Sequence, residues 1–200
     1  MKYKNIVFDY GNVLGTFDPT YILDQFCDSE KDFAILNDVV YDGWLSLDDG
    51  SADYKEYILH ALSRLPEHLH PHAKAFFRAW YLHCPGIKQS WELARELKQQ
   101  GASLYLLSNA SSYFAEHALE VCPVLEIFDG IFFSGPHHCA KPEREIFEKF
   151  FEEFHLLPEE CFFIDDSIAN IEMAQKCGMD GIVFDGNKDD VAVIKEHIDF

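Results

Sequence analysis

Short apolar runs, each closed by a polar or acidic residue, recur along this chain. They are "YKNIVFD" (3–9), "SLYLLS" (103–108), "GIFFS" (130–134), "CFFID" (161–165) and "GIVFD" (181–185). Their length and β-rich composition predict strands. Between the last four lie stretches with apolar residues at helical spacing: "SYFAEHALEV", "PEREIFEKFFEEFHL" and "SIANIEMAQKCG", the last with glycine where a helix stops. Strands that are apolar on both faces and alternate with helices imply a parallel sheet covered on both sides. Right-handed crossovers then bring every strand's carboxyl end to one edge.

The first gap breaks this rhythm. Residues 16–85 hold only helical patterns, "DPTYILDQFC", "EKDFAILNDVV", "SADYKEYILHAL" and "PHAKAFFRAWYLH". That is far more chain than one crossover helix needs. The expectation is a small all-helical subdomain inserted at 16–85 above the carboxyl edge, with 1–15 and 86–200 forming the core. "PGIKQSWELARELKQQG" (85–101) is the helix that returns to the sheet. The fold class is α/β: a Rossmann-like five-stranded parallel sheet with helices on both faces and a helical insert.

Four of the five strands end in reactive groups. Asp9 ends the first, Ser108 and Asn109 the second, and Asp165 and Asp166 the fourth; the loop after the third carries Lys141-Pro142-Glu143 into a helix. Each has an ordinary reading as a turn, cap or helix-entry residue. Their joint arrangement on one edge does not. Three carboxylates packed together need a cation, and oxygen-only ligation favours a hard ion such as Mg²⁺. Lys141 supplies a fixed positive charge, and Ser108 with its neighbouring amides supplies donors for phosphoryl oxygens. This set suits phosphoryl transfer, which is mostly charge stabilisation and in-line positioning. An Asp nucleophile gives an aspartyl-phosphate that water then hydrolyses.

On these residues the chain resembles the haloacid dehalogenase superfamily of phosphatases over essentially its whole length. "FDYGNVL", "LLSNAS", "KPEREIF" and "FIDDSIANIEMAQKCGM" are similar to its four motifs, and "DDGSADYKEY" to a stretch of its small helical cap. The resemblance implies that Asp9 is nucleophile and Mg²⁺ ligand, that the Gly11 carbonyl and Asp166 are further ligands, and that Asp165 is a supporting or water-mediated one. It implies catalytic roles for Ser108 and Lys141 and phosphate contacts from Ser108, Asn109 and Lys141, with Lys141 held by Asp165. Asn170 falls where many relatives carry a second acid.

One departure stands out. Most phosphatases of the superfamily carry Asp-x-Asp, whose second acid protonates the leaving group and then activates water. Here that place is Gly11. General acid–base help is worth about 10²–10⁴-fold. The expectation is a substrate whose leaving group needs less protonation, such as a sugar 1-phosphate. The "FDxGNVL" variant resembles a branch of sugar-phosphate phosphatases, which points the same way. The alternative is that a residue of the helical insert, or a substrate hydroxyl, stands in for the acid.

Composition narrows the partners. Sixteen basic against 35 acidic side chains give a formal net charge of −19, which repels nucleic acid and anionic membranes and leans toward a monomer. The expected partner is a small phosphorylated molecule. Six scattered cysteines without a Cys-x-x-Cys pair read as reduced thiols, and no run is long or apolar enough to anchor or export the chain, so a cytoplasmic location is expected. "HLHPH" (68–72) reads as a solvated loop. His137 and His138, just before Lys141, read as surface loop or as the surrogate acid. Trp44, Trp80 and Tyr81 read as core of the insert, with the option of facing the substrate. Asp18 reads as an N-cap or a substrate contact. A metal-free C–halogen hydrolase and an idle binding protein are the competing functions; the acidic pair Asp165-Asp166 speaks against the first, and Gly11 is the only encouragement for the second.

Overall fold

The computed structural model describes residues 2–186 and 190–200. Its strands are β1 (Asn5–Phe8), β2 (Ser103–Ser108), β3 (Gly130–Phe133), β4 (Cys161–Asp165) and β5 (Asp180–Val183). They form one parallel sheet in the order β3-β2-β1-β4-β5. The central β1 pairs on both sides, Asn5 with Ser103 and Cys161, and Phe8 with Leu106 and Ile164.

The helices of the insert are α1 (Pro19–Asp24), α2 (Glu30–Val40), α3 (Leu45–Asp48), α4 (Tyr54–Arg64) and α5 (His70–Ala79). Those around the sheet are α6 (Lys88–Gln99), α7 (Ser112–Val121), α8 (Ser134–His137), α9 (Arg144–Phe154), α10 (Ile168–Lys176) and α11 (Asp190–His197). Strand periodicity sorts the core into two layers. Ile6, Phe8, Leu104, Leu106, Phe162 and Ile164 cluster with Leu93 and Leu97 of α6, Phe114 of α7 and Ile194 of α11. Val7, Leu107, Phe132 and Phe163 cluster with Ile146, Phe147 and Phe150 of α9 and Ile171 of α10. Both faces are therefore covered, as the doubly apolar strands require.

Local chemistry sets the element ends. Asp18, Ser29, Asp53 and Ser111 cap α1, α2, α4 and α7 through their side chains, so Asp18 is the N-cap its sequence suggests. β1 is shorter than its apolar run: the Asp9 carboxylate accepts from the Tyr10 amide at 2.7 Å, and the chain turns away there. β3 stops at Phe133 because Ser134 opens the single turn α8. β5 starts and ends earlier than "GIVFD". Helix α9 starts at Arg144 rather than at Pro142, which follows Lys141 through a cis peptide. Helix α11, which the pattern did not announce, buries Ile194 against the sheet, and Ile198 just beyond it is buried too.

Between β1 and α6 the chain is helical, without a strand. It leaves and returns side by side: Thr16 N donates to Pro85 O and Ile87 N to Leu14 O, each at 2.9 Å. The insert then docks onto the carboxyl edge. Trp80 stacks on Phe114 at 5.4 Å, Tyr54 stacks on Tyr113 at 4.3 Å, and the Ser134 hydroxyl donates to the Asp48 carbonyl.

Candidate active site

Strand ends separated by more than 130 residues of sequence meet at one buried ion cluster. Asp9 follows β1, Asp165 closes β4, and Lys141 comes from the loop between α8 and α9. They are 7%, 0% and 5% exposed. Lys141 Nζ lies 2.9 Å from Asp9 Oδ1, 2.7 Å from Asp165 Oδ2 and 2.9 Å from Leu107 O. All three ammonium protons therefore have acceptors.

Asp165 is saturated as well. Besides Lys141 it accepts from the Ser167 amide at 2.8 Å and from Asn170 Nδ2 at 2.9 and 3.1 Å. Asp166 is exposed and accepts from Asn12 Nδ2 at 2.8 Å. Asn12 adopts a left-handed φ of 55°, which asparagine tolerates better than most side chains, and its Oδ1 accepts from Phe17 N. It thus ties the carboxylate to the start of the insert, a role the sequence reading did not give it.

The Asn109 side chain is turned to Lys141: Oδ1 accepts from Lys141 N and Nδ2 donates to Lys141 O, both at 2.8 Å. The family resemblance implies a phosphate contact for this side chain, but both its polar atoms are occupied in holding the lysine backbone. Ser108 is buried, and its hydroxyl interacts with the Asp9 carboxylate.

Electrostatics follow from the burial. Desolvation raises Asp9 to about 6, while Lys141 and the Ser108 hydroxyl hold it down and Asp165 adds to the rise. The two carboxylates hold the Lys141 ammonium up against its own burial cost. Oxygens of Asp9, Asp165 and Asp166 lie within 4.8 Å of one another. Three carboxylates against one ammonium leave two negative charges. An oxygen donor set with that excess fits a hard divalent cation such as Mg²⁺. The Gly11 carbonyl takes part in none of the backbone hydrogen bonds of its loop, so it is available as a further oxygen.

Above the cluster lies a cavity of about 160 Å³, lined by Asp9, Gly11, Asn12, Ser108, Asn109, Lys141, Asp166 and Asn170 from the core. The insert and its borders contribute an aromatic wall of Phe17, Trp44 and Trp80, joined by Phe114, and a single carboxyl, Asp48. Trp44 and Trp80 are thus both core and lining; their rings sit 5.2 Å apart. Tyr81 does not line the cavity, nor do Asp18, His137, His138 or the histidines of 68–72. His137 stacks on Phe132 at 3.7 Å, bonds Phe133 O and lies 3.0 Å from Glu153. His138 bonds Gly50 O at 2.9 Å and faces a neighbouring cavity. His70 and His72 bond Leu65 O and Phe26 O, and His68 lies 3.8 Å from Asp32.

Asp48, which lines the cavity, belongs to none of the strand-end motifs. Its carboxyl is pushed up to about 7, by burial first and by Asp49 second, with the Ser111 amide opposing. The available signal was an acid beside the Gly50 turn in "LDDG", at the tip of the insert.

Residues 3–178 match the haloacid dehalogenase-like hydrolase family. A sesquiterpene phosphatase from Aspergillus oryzae is 27% identical over 90% of this chain and 89% of its own. A D-ribitol-5-phosphate phosphatase from Bacteroides thetaiotaomicron is 29% identical over 38% of this chain and 40% of its own. Among solved structures, a family enzyme from Bacteroides thetaiotaomicron superposes with a TM-score of 0.78 at 23% identity, over 97% of this chain and 99% of that one. The same enzyme has been solved with magnesium and inorganic phosphate. The chain belongs to the haloacid dehalogenase-like hydrolases.

Proposed function

We propose that this chain is a Mg²⁺-dependent phosphomonoesterase acting on a small organic phosphate through an aspartyl-phosphate on Asp9. The observation that carries the reading is the buried contact of Lys141 with Asp9 and Asp165, beside Asp166. Lys141 offsets the nucleophile's charge as a dianionic phosphate approaches. Asp9, Asp166 and the Gly11 carbonyl would hold the cation, which supplies charge neutralisation at the phosphoryl oxygens. Asp165, saturated by hydrogen bonds, positions Lys141; Ser108 and the backbone amides of the β2 loop donate to phosphate. Asn109 and Asn170 position Lys141 and Asp165. Residues 16–85 act as a cap, with 1–15 and 86–200 as the catalytic core. The six cysteines, all free thiols, support a cytoplasmic site of action.

For the substrate, we carry forward the sugar phosphate expected from the sequence, because the face of a sugar ring packs on an aromatic wall such as Phe17, Trp44 and Trp80. The same wall suits an apolar body, and one relative is named for sesquiterpenes. A panel of sugar 1-phosphates, sugar 6-phosphates, ribitol 5-phosphate and a sesquiterpenyl phosphate, each assayed with and without Mg²⁺, tests the reading. Mg²⁺-dependent release that disappears in Asp9→Asn supports it. Release without metal, or cleavage of C–halogen bonds instead, refutes it.

A further inference from the structure

The phosphatase reading leaves one chemical need unmet. Breaking the bond between phosphorus and the ester oxygen puts a negative charge on that oxygen, and Gly11 has no proton to give. We propose that Asp48, at the end of α3 in the helical insert, protonates the leaving alcohol and then takes the proton of the attacking water. This inference rests on Asp9 being the nucleophile.

Asp48 lines the same cavity as Asp9, Ser108, Lys141 and Asp166, and it reaches that cavity from the insert while the others reach it from the core. Its backbone is pinned to the core: the Ser134 hydroxyl donates to the Asp48 carbonyl, and the same hydroxyl accepts from the Ala110 amide at 2.9 Å. One side chain thus links Asp48 to the loops that follow β2 and β3.

Among the other lining groups, Lys141 has all three protons bonded. Asp166 is held by Asn12 and belongs to the cation set. The Tyr10 hydroxyl is buried without a hydrogen-bond partner among the described residues and held far above neutrality, and Cys84 is pushed up to about 12. Asp48 is left, and its equilibrium lies near neutrality, where a group best serves as both acid and base. The titratable groups facing it are Asp49 on its own turn and Tyr57 of α4, whose phenol it helps to raise. From the core side, His138 bonds Gly50 O in the adjoining turn.

The step balances. Asp9 attacks phosphorus, the bond to the ester oxygen breaks, and that oxygen leaves as the alcohol with the Asp48 proton. Water then attacks the aspartyl-phosphate and gives a proton to the Asp48 carboxylate. Inorganic phosphate departs, and both aspartates return to their starting states.

The test compares kcat/KM of wild type, Asp48→Asn and Asp48→Glu on an aryl phosphate and an alkyl phosphate, at saturating Mg²⁺. An aryl oxygen leaves without help, whereas an alkyl oxygen needs the proton. The expected result is a loss of about 10²–10⁴-fold for the alkyl ester in Asp48→Asn, no more than about tenfold for the aryl ester, and partial recovery in Asp48→Glu. A loss of equal size on both esters, or on neither, overturns the proposal. If wild type and Asp9→Asn are equally inactive on both, the phosphatase reading itself has failed, a result recognisable before any Asp48 variant is made.

Discussion

Asn109 grips Lys141 at both backbone ends, accepting from its N–H and donating to its carbonyl at 2.8 Å. The lysine in turn holds Asp9 and Asp165, so a side chain with no free polar atom sets the geometry of the Asp9 carboxylate.

Asn109→Ala therefore leaves the charges in place and loosens their placement. We expect kcat to fall by about 10²-fold, as small misplacements of reacting groups do, with a stability loss of about 1–3 kcal/mol from the lost bonds. Steady-state kinetics and thermal melts check this; full activity would show that Lys141 does not need the grip.

Lys141→Ala leaves two carboxylates facing each other without a cation. Breaking a buried pair costs about 3–5 kcal/mol, and activity should vanish. Lys141→Arg should not restore it, since a planar guanidinium does not fit a site built for a point charge with three acceptors. Denaturant melts and phosphate release give the two readouts.

The motif residues were legible because each sits at a strand end or, for Lys141, in the loop that follows β3 and α8, and the sheet edge gathers them whatever the intervening chain does. Asp48 was not, because its place depends on docking: the bond that fixes it joins residues 86 apart. The same holds for His137, which reads as a free loop histidine until its stacking on Phe132 is seen. Asn109 was recognised as part of the site, but its partner lies 32 residues away, so the direction of its side chain was beyond the sequence. Helix α11 carries too little periodic signal to be announced.

Asp48 also gives a pH signature in stability. Its folded value is about 7 against a usual 3.8, so the native state binds this proton more tightly than the unfolded chain does. The group costs stability when ionised, above pH 7, and that cost fades as pH falls through 7 toward 4. Asp48→Asn should be more stable than wild type at pH 8, on the order of 4 kcal/mol, with the difference shrinking by pH 5. Melts at both values check it; a difference independent of pH would contradict the raised value.

Gly50 tests the docking of the insert. It has a φ of +73°, and a Cβ there would lie 2.1 Å from the Gly135 carbonyl oxygen. Gly50→Ala should push the "LDDG" turn off the core, carrying Asp48 with it. Activity on alkyl phosphates should drop more than stability does, measured on the same preparation.

Mg²⁺ should raise the melting temperature, because it neutralises the two excess charges of the cluster. At about 100 times its dissociation constant the gain is about 2.7 kcal/mol. Asp166→Asn should abolish that gain while leaving the melt in EDTA nearly unchanged, since the residue is exposed.

The most direct test is to quench the enzyme in acid during turnover with Mg²⁺ and a phosphate ester, then map covalent phosphate by mass spectrometry. One phosphoryl group is expected on the peptide bearing Asp9, absent in Asp9→Asn although that variant stays folded. Substrate turnover with no phosphoryl group on Asp9, or with one on another residue, would contradict this expectation.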